Sequence, residues 1–176
     1  MSDSPKPAKI AINRAPVLTL WAAIVAERLG HDRDAALTLG RSVAGVNAQS
    51  KGRTLGIFEK PDPAQEAKRR REEKREQAIE VELLGRVVRA KRTREGLRAL
   101  DRGRTASPEA VERYLESKFG ESLAAARAAM TALAQSMTPE ELGVQAFGLY
   151  EKFRPNVPSG TRGWGATGAG IIISAT

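Results

Sequence analysis

Eight basic side chains lie within residues 81–104 against three acidic ones: Arg86, Arg89, Lys91, Arg92, Arg94, Arg98, Arg102 and Arg104. Guanidinium and ammonium groups at this density suit one kind of chemistry, the neutralisation of phosphates along a polyanion. On a β-hairpin Arg89 and Lys91 share a face, because side chains alternate along a strand. Such an element could act as a wing gripping the backbone of a nucleic acid, with Arg89, Lys91, Arg92 and Arg94 as the contacts. A solvated basic surface would carry the same signature. Lys51 and Arg53 form a second, smaller basic patch.

Other chemistries lack the residues they need. The chain has no cysteine, which removes disulfides, thiolate catalysis and Cys-ligated zinc. His31 is the single histidine, and its neighbours Asp32 and Asp34 are better explained as helix caps than as a metal site or catalytic set. The segment "GTRGWGATGAG" (160–170) resembles a phosphate loop only loosely, because it lacks the Gly-Lys-Ser/Thr ending. Trp164 within it reads as a packing residue, and so does the pair Tyr150 and Phe153. No metal or cofactor is expected, and the chain reads as non-enzymatic. The enzymatic alternative is an activity on an anionic substrate held by Arg154 and Arg162.

A formal net charge of +8 and a pI near 10.2 point to an anionic partner. No apolar run approaches the roughly 20 residues of a membrane span, so no membrane partner is expected. The opening "MSDSPKPAK" lacks the apolar stretch of a secretory signal. A cytoplasmic location is the expectation.

The elements that must position these residues are mostly helical. Residues 1–13 read as a flexible arm and 14–60 as a helical hairpin. Residues 61–80 read as a charged linker helix, 81–155 as a basic hairpin plus helical bundle, and 156–176 as a Gly-rich tail. In the first helix Val17, Leu18, Leu20, Trp21, Ile24, Val25 and Leu29 make a broad apolar face, with Gly30 as the stop. The second helix, capped by Asp32 or Asp34 and running to about Ala48, carries Ala36, Gly40 and Ala44 at i, i+4, i+8, a stripe suited to close approach. Residues 64–80 alternate charge with Glu66–Arg70, Lys68–Glu72 and Arg69–Glu73 at i, i+4, a solvated self-paired helix. Pro61 and Pro63 mark a junction before it. From Val81 the β-branched content rises, predicting a short meander or hairpin, although a continuing helix would hold most of these residues too. Ser107 with Pro108, a helix from about Glu121 to Gln135, and "TPEE" at 138–141 predict three further helices, the last ending near Phe153. The terminal "IIIS" fits either an added edge strand or a disordered end.

The stretch "VAERLGHDRDAALTLGRSV" (25–43) resembles the helix-turn-helix of bacterial DNA-binding proteins. Ala26 takes the small-residue position, Gly30 the turn, and Val25, Leu29 and Leu39 the buried positions. The resemblance implies that the helix starting near Arg33 enters the major groove. Arg33, Thr38, Arg41 and Ser42 would then face phosphates or base edges, with Asn47 and Gln49 beyond them. His31 in the turn and Ala36 in a core position depart from the pattern, and a structural helical hairpin satisfies it equally. The expected fold is mostly α, a helical hairpin plus a C-terminal bundle with a small β-hairpin. The expected function is DNA binding (or RNA), as a transcription regulator or nucleoid-type accessory factor. The rival is a helical scaffold whose small-residue stripe mediates assembly, and a homo-oligomer fits either reading.

Overall fold

In the computed structural model, the described residues are 10–54, 62–75, 77–154 and 170–171. The chain is mostly helical with a small four-stranded antiparallel sheet. A two-residue strand β1 (Ile10–Ala11) leads into α1 (Arg14–Arg28), α2 (Arg33–Thr54) and α3 (Pro63–Arg75). The sheet follows as β2 (Ile79–Leu83), β3 (Arg86–Thr93), β4 (Gly96–Asp101) and β5 (Arg104–Thr105), paired in that order. Then come α4 (Pro108–Phe119), α5 (Leu123–Gln135) and α6 (Pro139–Phe153), and β6 (Gly170–Ile171) pairs antiparallel with β1. The first nine residues and most of the Gly-rich tail lie outside the described residues, as do Pro61 and Trp164.

The first helix is apolar all round rather than on one face. Every residue from Pro16 to Ala26 is buried, as in a helix enclosed on all sides. α2 covers one side of it, and α4, α5 and α6 cover the rest. Trp21 has no exposed surface and its indole Nε1–H donates to the Ala146 carbonyl at 2.8 Å. Its ring meets Phe153 edge-on with centroids 5.3 Å apart. Burying such a ring is worth about 1.5–3 kcal/mol, and the hydrogen bond removes the penalty of enclosing its polar end. Thr19 satisfies its hydroxyl locally by donating to the Ala15 carbonyl. One core cluster takes in side chains from α1, α2, the sheet and α4–α6, so the helical hairpin and the bundle share an interior.

The small-residue stripe of α2 faces α1. A Cβ on Gly40 would sit 2.6 Å from the Thr19 carbonyl oxygen and 2.7 Å from the Ala23 nitrogen. Only glycine lets the two backbones come this close. The second helix begins where Asp32 accepts the Ala35 N–H at 2.9 Å, and it runs past the expected end at Ala48 to Thr54. The later helix starts also match their sequence signals. Ser107 Oγ accepts the Ala110 N–H, with Pro108 opening α4. Thr138 and Glu141 form a reciprocal capping box at the start of α6.

The sheet is a four-stranded meander, larger than a single hairpin. Leu84 and Arg102 adopt positive φ (52° and 50°) beside Gly85 and Gly103 (69° and 80°). These are the two-residue turns, left-handed at both central positions, that suit the twist of paired strands. Val88, Ala90 and Ala99 are buried, with Ala90 opposite Ala99, and α2 packs on β3 and β4.

Candidate nucleic-acid interface

The basic residues of the sheet divide into two sets, one tied into the fold and one facing out. Arg98 is inward, with a side chain 8% exposed and its guanidinium 3.6 Å from the Asp34 carboxylate at the start of α2. It also donates to the Leu97 carbonyl at 2.9 Å. Arg86 donates to Asn47 Oδ1 at 2.9 Å and lies over the Phe147 ring, 5.1 Å from its centroid. These two arginines pin the sheet to α2 and α6, and a guanidinium stacked on a ring and paired to an amide is well suited to that role.

The outward set is concentrated at the β3–β4 turn. Arg92 and Arg94 are exposed and Lys91 is part-buried, opposite Arg98 in the register. Thr93 Oγ1 donates to the Gly96 carbonyl at 2.7 Å, closing the turn on itself. The next turn presents Arg102 and Arg104, both exposed, beside an open depression of about 450 Å³ lined also by Asp101, Thr105 and Ala106. Among the described residues, Lys91, Arg92, Arg94, Arg102 and Arg104 form no ion pair.

Arg89 stands opposite Glu80 in the register. Burial lowers its pKa from the ordinary guanidinium value, and the nearby charges of Arg69 and Arg70 lower it further while Glu66 opposes them. In sequence the arginine run of this segment invites a nucleic-acid reading, but its charge balance and i, i+4 pairs favour a solvated helix. Glu66 does pair with Arg70 at 3.4 Å and with Arg69 at 4.0 Å. The signal available was the uninterrupted run Arg69-Arg70-Arg71.

Of the residues expected on the reading helix, Arg33 and Arg41 are exposed, whereas Thr38 and Asn47 are inside. Thr38 is fully buried; its hydroxyl donates to the Ala35 carbonyl and accepts the Ala99 N–H, each at 3.0 Å. Asn47 is also buried and serves Arg86. Arg33 is exposed but lies 3.5 Å from Glu112, which is also held by Arg127 at 2.9 Å. The Arg41 guanidinium sits over the Tyr114 ring, 4.4 Å from its centroid. Burial raises the Tyr114 pKa, against the opposing effect of Arg41. Ser42 is part-buried and Gln49 exposed. Lys51 and Arg53 fall in the last turn of α2. The fold thus gathers Arg89, Lys91, Arg92 and Arg94 on one strand and turn, and sets Arg33 and Arg41 apart on α2.

No helix among the described residues is long and apolar enough to cross a membrane. Compared with protein-family models, curated proteins and solved structures, the chain matches none of them.

Proposed function

We propose that this chain is a non-enzymatic DNA-binding protein of the nucleoid-accessory type, which holds the phosphate backbone against its basic sheet. The observation that carries the reading is the exposed pair Arg92 and Arg94 at the β3–β4 turn, with Lys91 on the opposite face of the strand from Arg92, three cations without an ion-pair partner among the described residues. Unpaired cations on a rigid turn can meet phosphates without first breaking an internal bridge. An accessory factor is preferred to a sequence-specific regulator because α2 has few groups left for base edges. Thr38 and Asn47 are inside, and Arg33 and Arg41 are engaged by Glu112 and Tyr114.

The test is the salt dependence of DNA binding. Each phosphate contact contributes roughly 0.9 to the slope of log affinity against log salt on duplex DNA. Replacing Lys91, Arg92 and Arg94 together by Gln should flatten that slope by about 2–3 and weaken binding to every sequence alike. Because Arg92 and Arg94 are exposed and part-buried Lys91 holds no ion-pair partner among the described residues, the fold should survive the change. A native slope in the variant would reduce the sheet to a solvated basic face.

A further inference from the structure

We infer that the outer face of α6 is an interface for a second copy of this chain, built on the row Glu140, Val144, Gly148 and Lys152. The inference concerns assembly and does not rest on the DNA-binding reading. Leu142, Ala146, Tyr150 and Phe153 bury one side of α6 in the core. The row at 140, 144, 148 and 152 lies on the other side, and all four residues are exposed. Val144 is 87% exposed, the most exposed large apolar side chain among the described residues. Gly143 and Gly148 flank it, and neither has an atom within 4 Å of where a Cβ would lie. Glycine weakens a helix relative to alanine. At Gly40 the approach of α1 accounts for that choice, whereas among the described residues nothing accounts for Gly148.

The row is complementary to its own reverse. Residues four apart form a ridge inclined to the helix axis, and two such ridges align when helices cross at about −50°. With a twofold axis at the level of Ala146, position 140 faces 152 of the second copy and 144 faces 148. Val144 then fills the gap over the second copy's Gly148, and Glu140 meets its Lys152. An isologous contact makes each pairing twice. Neither Glu140 nor Lys152 forms an ion pair among the described residues. Their charges also select the orientation, because a parallel mate would set Glu140 against Glu140. A chain of net charge +8 repels its copies over most of its surface, whereas this row carries one acid and one base. A single helix crossing covers less than the roughly 800 Å² per partner of a standard interface, so the dimer is a weak one.

The experiment is sedimentation velocity of the full chain without nucleic acid, from about 5 to about 500 µM at physiological salt. The expected result is a mass that rises from one protomer towards two and stops there, because an isologous contact closes. Val144→Arg places a charge in the contact and should keep the chain monomeric throughout. That side chain is exposed, so the variant's thermal midpoint should match the parent's. Glu140→Lys and Lys152→Glu each set like charges opposite one another at two places, and each should weaken the dimer by at least about threefold. The double variant restores opposite charges and should return the dissociation constant to within about twofold of the parent's. Both swaps oppose the α6 dipole, so circular dichroism melts accompany them. A parent chain still monomeric at the highest concentration would overturn the inference. So would growth beyond two protomers, a dimer indifferent to Val144→Arg, or folded single swaps that the double does not rescue.

Discussion

The hydroxyl of Thr38, in the interior of α2, accepts the backbone N–H of Ala99 in β4 at 3.0 Å, joining helix and sheet across a sequence separation of 61. A residue expected to face DNA instead closes a buried hydrogen bond. Thr38→Val keeps the shape and removes the acceptor, leaving the Ala99 N–H unpaired at a cost of about 1–3 kcal/mol. The thermal midpoint should fall by roughly 3–10 °C. DNA affinity measured well below that midpoint should be unchanged. A melt and a binding isotherm on the same preparation check both halves, and weaker binding with an unaltered melt would return Thr38 to the DNA surface.

Two glycines in helices should respond to alanine in opposite directions. At Gly40 the new Cβ meets the Thr19 and Ala23 backbone at 2.6 and 2.7 Å, so α1 and α2 must separate. Overpacking of this kind costs about 1–3 kcal/mol. At Gly148, on the exposed side of α6, nothing lies within 4 Å. There alanine should stabilise by about 0.5–1 kcal/mol through lower backbone entropy in the unfolded chain. Urea midpoints for the two variants should move to either side of the parent.

The start of α4 should report on itself through one carboxyl group. The Glu109 pKa is held below its ordinary value, first by its own backbone N–H and then by the Ser107 hydroxyl, which donates to Oε2 at 2.9 Å. Ser107→Ala removes that donor and the helix cap, which costs about 1 kcal/mol. By NMR titration, the Glu109 pKa should rise. A carboxyl group with a lowered folded pKa lends stability above its unfolded value of about 4.3, and that stability is lost as pH falls. The variant should therefore lose less stability than the parent on going from about pH 5 to pH 3.

The helix starts were the most legible part of the chain, because N-caps are local. Ser107, Thr138 with Glu141, and Asp32 each bind an N–H within three residues. The Ala36-Gly40-Ala44 stripe also announced a close packing partner, and the β-branched content and turns signalled the sheet from Val81, two residues after its start at Ile79, with a continuing helix left open. The all-round burial of α1 was not legible, since periodicity marks an apolar face but does not show what covers its opposite side. The fate of each arginine was equally hidden. Arg86 and Arg94 lie in the same basic run, yet one stacks on Phe147, more than fifty residues away in sequence, and the other faces water. That division depends on tertiary partners.

The enclosure of α1 has a consequence for how the chain is made. Its outer faces stay uncovered until α6, ending at Phe153, has left the ribosome. At about 5–20 residues per second, the intervening hundred or so residues take on the order of 5–20 s to synthesise. Over that interval a helix buried on every side in the finished fold is covered only in part, first by α2 and then by α4 and α5. The nascent chain should thus be a client for holding chaperones until its last helix arrives.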